Sequence, residues 1–340
     1  MLDYKLWKIS TFLSKLQSGL TTQNRDAVII FDTSMRSNNK GDQIICLYCD
    51  QVLEECLGKR STVRVPTHQL PTEEELAVIR RTQQKIVCGT NILSPNYAKW
   101  SLWKMPNNLF GYTNVIALGI GWGYYGNEIA DVSKTVYRHV FSKKGLHSVR
   151  DGYTEMKMKQ MGIKNVVNTG CPTMWGLTSE VCAAIPDGKA KNVVTTITDY
   201  SKDFDADNFL LETLSLYYEK VYVWPQGSKD LEYLASLRPI RNLIVVSGGI
   251  KAFSELLLNN DVDYFGTRLH AGIHALNMGI RSMIIAIDNR ALEISRDTSL
   301  PVIPRERIKD LLPTAITENR TTSIKLPWDN IRQWKEQFHN

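Results

Sequence analysis

Ala27-Val28-Ile29-Ile30-Phe31 is an unbroken apolar run closed by Asp26 and Asp32. A half-buried strand would alternate, so a run of this kind predicts a strand covered on both faces of a parallel sheet. Parallel neighbours need crossover connections, usually helices. The chain supplies them. Residues 44–57 carry apolar side chains at 44, 45, 47, 48, 52, 53 and 57, predicting a helix that starts near Gly41-Asp42. A strand at 62–65, a helix at 73–81, a strand at 85–88 ending in Gly89-Thr90-Asn91 and a strand at 115–119 follow, the last entering Gly119-Ile120-Gly121-Trp122-Gly123.

The second half repeats the rhythm. Strands are expected at 192–197, 220–223, 243–246, 262–265 and 281–287, with helices at 205–218, 231–237, 251–259 and 270–278. Pro172, Pro186 and Gly188 cluster in 171–191, which reads as a hinge. The expected fold class is therefore α/β, with two Rossmann-like domains, one at 1–175 preceded by an N-terminal helix and one at 176–340 with a C-terminal helix, and a cleft between them as the default site. A length of 340 residues accommodates both.

With 43% apolar and 22% charged residues, the composition excludes collagen-like, low-complexity and acidic-tail classes. A net charge of +6 without long basic runs fits an anionic small ligand or a membrane surface, and no nucleic acid is expected. Residues 1–20 hold Asp3, Lys5, Lys8 and Lys15, so no secretory core is expected there and the protein is expected in the cytoplasm. The charge-free stretch 105–127 is broken by Pro106, Gly111 and several asparagines and predicts no membrane span. Leu6, Ile9, Leu13, Leu16 and Leu20 form one helical stripe; docking on its own domain is the favoured role. Trp7 and Phe12 beside the lysines keep peripheral contact with the inner face of the cell membrane open. Six cysteines without an export signal predict reduced core thiols. Cys46-x-x-Cys49 lies inside a periodic helix without a second pair and is read as packing.

Two segments carry chemistry. Ser148-Val149-Arg150-Asp151 places an Arg beside an Asp, which alone is also how structural ion pairs are built. Asp263 to His270 runs from a short strand through Gly266 into a helix, putting Arg268 and His270 at a strand-to-helix junction. Helix N–H groups there favour an anion, a guanidinium offers a planar fork, and an imidazole exchanges protons near neutrality. Gly119-Ile120-Gly121-Trp122-Gly123 fails the dinucleotide fingerprint because position 124 is Tyr. Trp122, Tyr124 and Tyr125 are read either as a stacking platform for a sugar or as packing. No metal or cofactor is expected: no His-Glu-x-x-His motif is present, and Cys46-x-x-Cys49 has no second Cys pair.

These segments resemble the polysaccharide pyruvyl transferase family. The resemblance covers roughly residues 26 to 310 and rests on Asn39-x-Gly41-Asp42, Gly89-x-Asn91, Ser148 to Asp151, Gly170-Cys171-Pro172-Thr173, Gly266-Thr267-Arg268-Leu269-His270 and Asp288-x-Arg290. It departs from the family where Thr33-Ser34-Met35-Arg36 replaces a Gly-containing approach to the first loop, where Cys88-Gly89-Thr90 is less glycine-rich, and where Arg290 replaces a Lys.

The resemblance implies a fold like a GT-B glycosyltransferase, with an acceptor side in 1–175 and a donor side in 176–340. It also implies transfer of pyruvate from phosphoenolpyruvate to sugar hydroxyls as a cyclic ketal, in the synthesis of a surface polysaccharide or its lipid-linked precursor. Arg150, Arg268 and His270 would bind the donor, with His270 as the acid or its relay. Asn39, Asp42, Asn91, Asp151, Asp288 and Arg290 are further cleft candidates, and no oligomeric state follows. A nucleotide-sugar glycosyltransferase and a non-catalytic sugar-binding scaffold are the rival readings.

Overall fold

The computed structural model describes residues 24–126 and 128–339. The apolar stripe from Leu6 to Leu20 and its lysines lie outside the described residues. The chain divides into two compact units. The first comprises the chain up to Ser37, Ile45–Pro172 and the segment from Pro327 onward; the second comprises Asn38–Ile44 and Thr173–Leu326.

In the first unit, β1 (Asn24–Asp32), β2 (Ser61–Pro66), β3 (Thr82–Cys88) and β4 (Val115–Leu118) form a parallel sheet in the order β2-β1-β3-β4. Ala27 to Phe31 are all buried, as the unbroken apolar run requires. Helix α1 (Lys40–Leu57) connects β1 to β2, and α2 (Glu73–Arg81) connects β2 to β3. The start of α2 is set by a capping box: the Thr72 hydroxyl accepts from Glu75 N, and the Glu75 carboxylate accepts from Thr72 N at 2.7 Å. After α3 (Asp131–Val140), the short strands β5 (His147–Val149) and β6 (Val166–Asn168) pair in parallel on either side of α4 (Gly152–Gln160). An Ile120–Val149 bridge ties β5 to the segment leaving β4. The core gathers Phe31, Trp103, Tyr112, Trp122, Tyr137 and Phe141 around the sheet.

The second unit adds α5 (Ser179–Ala184), β7 (Asn192–Thr195), α6 (Phe204–Tyr217), β8 (Val221–Val223), α7 (Asp230–Ala235), β9 (Leu243–Val245) and α8 (Ile250–Leu258). It continues through β10 (Val262–Gly266), α9 (Leu269–Asn277), β11 (Ser282–Ala286), α10 (Asn289–Thr298), β12 (Val302–Pro304) and α11 (Ile308–Thr317). Its six strands are parallel in the order β12-β11-β10-β7-β8-β9. The chain winds outward from β7 in one direction and from β10 in the other, so a topological switch point lies between their carboxyl ends.

The last helix, α12 (Trp328–Glu336), sits at the end of the chain but belongs to the first unit. Its buried Trp334 donates from the indole N–H to Ala117 O at 3.0 Å, and Asn330 donates to Asn168 O at 2.7 Å. The strands β5, β6 and β12 and the helices α5, α10 and α11 lie outside the elements expected from the sequence. α5 falls inside the stretch read as a hinge, and α10 is largely polar.

Candidate active site

Arg268 stands at the switch point of the second sheet. Its backbone N–H donates to Thr196 Oγ1 at 3.1 Å, just past β7, and Thr267 N donates to Thr196 O at 2.9 Å. The residue caps α9 with non-helical backbone, and its side chain is buried. Nε donates to Ile197 O at 3.3 Å; Nη2 donates to Asp199 Oδ1 at 3.1 Å and to Asp230. Nη1 makes no hydrogen bond among the described residues, so the guanidinium is held along one edge with one nitrogen left to donate. The ring of Tyr200 lies 4.9 Å from its central carbon.

The Arg268 guanidinium is thus embedded between carboxylates. Asp230 also accepts from Gly227 N at 2.7 Å, Gln226 N at 3.0 Å and Asp199 N at 3.2 Å. Burial pushes its carboxyl above the ordinary range, against the pull of Arg268 and the Gly227 N–H. Gly227 is required there: a Cβ would stand 2.6 Å from Arg268 Nη2 and 3.1 Å from oxygens of Asp199 and Asp230.

His270 is the second residue of α9 and is buried, two positions from Arg268, where backbone N–H groups have no intrahelical partner. One turn on, His274 meets Ser254 Oγ at 2.9 Å, and burial pushes its imidazole down to about 4. Asp288 caps α10, accepting from Arg290 N at 3.0 Å, and holds the Arg290 guanidinium through Nε at 2.9 and 2.8 Å. Arg290 Nη2 donates to Tyr200 OH at 2.8 Å. Tyr200 therefore links the Arg268 and Asp288-x-Arg290 segments, which sequence could only place in separate loops.

The Asn39 loop also belongs to the second unit. Asn39 Oδ1 accepts from Gly41 N at 3.0 Å and from Gln226 Nε2 at 3.1 Å, and Asp42 N donates to Asn39 O at 3.1 Å. Lys40 donates to Pro225 O at 2.5 Å and lies 5.2 Å from the Trp224 ring; burial lowers its ammonium pKa. Gln226 is buried and its Oε1 has no hydrogen-bond partner among the described residues. Through Gln226 and Gly227, the loop after β8 joins Asn39 to the Asp230–Arg268 pair. Asp199, Tyr200, Gln226 and Asp230 were missed in the sequence; the signal available was that each follows the carboxyl end of a parallel strand.

Arg150 and Asn91 meet in the first unit. Arg150 follows β5, is fully buried, donates to Asn91 Oδ1, and has its Nε 3.4 Å from Asp151 Oδ2. Its backbone N donates to Ile120 O at 3.1 Å. Gly121 lies against the guanidinium: a Cβ there would come 2.6 Å from Cζ and 2.7 Å from Asn91 Oδ1. Asp151 caps α4, accepting from Thr154 N at 2.7 Å. Trp122 is buried in the core and offers no stacking face, which corrects its place in a sugar platform. Tyr124 and Tyr125 are exposed and pack edge-on against Trp100 and Tyr153. Cys46 and Cys49 are buried free thiols; Cys46 Sγ lies 2.9 Å from Asp32 Oδ1, burial raises the Cys46 thiol, and the hydrogen bond with Cys88, with burial behind it, raises that of Cys49. Among the described residues no group of three or more His, Cys, Asp or Glu could hold a metal, and no helix is long and apolar enough to cross a membrane.

The fold is similar to that of the UDP-GlcNAc 2-epimerase of Methanocaldococcus jannaschii, solved in complex with UDP-GlcNAc and UDP. The TM-score is 0.53 at 10% identity, over 92% of this chain and 99% of that one. At that identity the likeness shows a GT-B-like two-domain fold and nothing of activity. No curated protein matches the chain. The model of the polysaccharide pyruvyl transferase family matches residues 39–289, a stretch that runs from the Asn39 loop through Arg150, Arg268 and His270 to the first residue of α10. With the match spanning most of the chain and taking in both arginine centres, the protein belongs to the polysaccharide pyruvyl transferase family and is a transferase of that type.

Proposed function

We propose that the enzyme takes pyruvate from phosphoenolpyruvate and attaches it to two hydroxyls of one sugar as a cyclic ketal, in a surface polysaccharide or its lipid-linked precursor. Arg150, Arg268 and His270 bind the donor, the second unit forming the donor side and the first the acceptor side. The observation that carries this reading is Arg268 at the switch point, oriented by Asp199 and Asp230 so that Nη1 remains to donate, with His270 beside it at a helix N-terminus. A phosphate or carboxylate suits such a site.

The chemistry needs a proton on the methylene carbon, which becomes the ketal methyl and makes C2 electrophilic. One hydroxyl then attacks C2 and releases its proton, the C2–O bond to phosphate breaks, and the second hydroxyl closes the ring with loss of its own proton. His270 supplies or relays the first proton. Tyr200, held between Arg268 and Arg290, positions both cations.

The test is thermal stability with added ligand, followed by labelled phosphoenolpyruvate and a panel of lipid-linked glycans read by mass spectrometry. Phosphoenolpyruvate at about a hundred times Kd should stabilise by roughly 2.7 kcal/mol, while UDP- and GDP-sugars leave the melting temperature unchanged. Stabilisation by a sugar nucleotide alone would establish the glycosyltransferase reading instead. Phosphate release that ignores the acceptor would count against ketal transfer.

A further inference from the structure

The first unit carries a polar groove at the amino ends of its strands, away from Asn91 and Arg150 at the carboxyl ends. Two cavities of about 580 and 720 Å³ adjoin, sharing Arg138, His139, Phe141, Ser142 and Lys143. Arg60, Lys144 and Lys164 complete a set of five fixed cations along the walls, and among the described residues no Asp or Glu lines either cavity. Arg138, Lys143, Lys144 and Lys164 form no salt bridge among the described residues. Neighbouring surface lysines do find carboxylates, as in Lys134–Asp131 and Lys159–Glu155. In a protein of net charge +6, four of the five cations on this concave surface therefore have no salt-bridge partner among the described residues. A cleft of one sign focuses field and concentrates anions.

The neutral lining narrows the class of anion. Gln83, Gln84, Asn114 and Asn165 add amide donors and acceptors suited to hydroxyl groups. Among the described residues no exposed large apolar side chain lines the groove, and Phe141 and Ile163 are buried. A membrane surface would need an apolar anchor and a single-stranded nucleic acid a stacking face. A hydrophilic polyanion rich in hydroxyls matches charge and lining together.

We infer that this groove is a second glycan-binding site, taking an acidic oligosaccharide segment of the polymer the enzyme acts on. The inference rests on the ketal-transfer reading, since each ketal leaves one carboxylate on its sugar and makes the product such a chain. Strands of four to seven residues separate the two ends of the sheet by roughly 13 to 23 Å, a span that several linked sugars cover and a single sugar does not. The groove would thus hold the part of the chain that has already been modified.

Calorimetry of the full chain with oligogalacturonate as the probe tests this, against neutral dextran, phosphatidylglycerol vesicles and a single-stranded oligonucleotide. Oligogalacturonate should bind with an affinity that falls as salt rises, and dextran should not bind. The double variant Lys143→Glu/Lys164→Glu, and the milder Lys143→Gln/Lys144→Gln, should weaken binding, the first by about tenfold or more. All these side chains are exposed, so both variants should fold and keep any phosphoenolpyruvate-induced thermal shift. Absent binding, binding that ignores both variants, or tighter variant-sensitive binding to vesicles or oligonucleotide would overturn the assignment. Failure of phosphoenolpyruvate to stabilise the wild type would strike the ketal-transfer reading alone, because the groove result is read without the donor.

Discussion

Asp230→Asn keeps the size of the side chain and removes its charge, which isolates what Asp230 does for Arg268. In the native protein Oδ2 accepts from Gln226 N and Gly227 N, while Oδ1 accepts from Asp199 N and Arg268 Nη2. An asparagine amide must put its NH₂ at one of these two positions, so either orientation turns two donors toward a donor. The Asp230 side chain is 1% exposed, so no solvent takes over. Removing one partner of a buried ion pair costs roughly 3 to 5 kcal/mol. Asp199 still holds Nη2 at 3.1 Å, which puts the expected loss at the lower end, about 3 kcal/mol. Asp199→Asn, at 19% exposure and with a weaker contact to Nη2, should cost under about 1 kcal/mol. Urea unfolding gives the magnitudes, and hydrogen exchange of the β7 and β10 amides places the loss in the second unit. If Asp230→Asn falls within about 1 kcal/mol of wild type, or the two variants cost the same, then Arg268 does not depend on Asp230 and the described cluster is not what orients it.

Gly121→Ala should destabilise by roughly 1 to 3 kcal/mol and abolish the phosphoenolpyruvate-induced thermal shift, because the methyl displaces the Arg150 guanidinium; unchanged melting with and without donor argues against Arg150 as a donor contact. His147 accepts from Ala117 N at Nδ1 and meets Ser142 O at 2.8 Å through Nε2, so its ring is neutral, and burial depresses it and His274 to about 4. The unfolded chain takes up these protons first as pH falls, so stability is intact above about pH 6.5 and is lost toward pH 4, by up to about 3 kcal/mol per histidine. Urea titrations across that range check the slope, and His147→Gln should remove its share. His270→Gln should bind phosphoenolpyruvate with near-native affinity while turnover falls about a hundredfold, and in D₂O the wild type should place one deuterium in the ketal methyl; affinity lost in step with turnover makes His270 a binding residue.

Local chemistry settled much of this protein before any long-range contact is considered. The apolar run at Ala27 to Phe31 can only be buried on both faces, and the alternation of such runs with amphipathic segments makes a parallel α/β chain. Arg268 and His270 were legible because a strand, a Gly and a helix start are adjacent in sequence. Strand order was not legible, since pairing β10 with β7 joins residues some seventy positions apart and no local period records it. That pairing creates the switch point, brings Thr196 and Asp199 to Arg268, and lets Asp230 reach the same guanidinium from the loop after β8. Burial likewise separated Trp122 from Tyr124 and Tyr125, three neighbours with the same chemistry, by putting the first into the core and leaving the other two in solvent. What a side chain faces depends on which distant strand lies beside it, and only tertiary packing decides that.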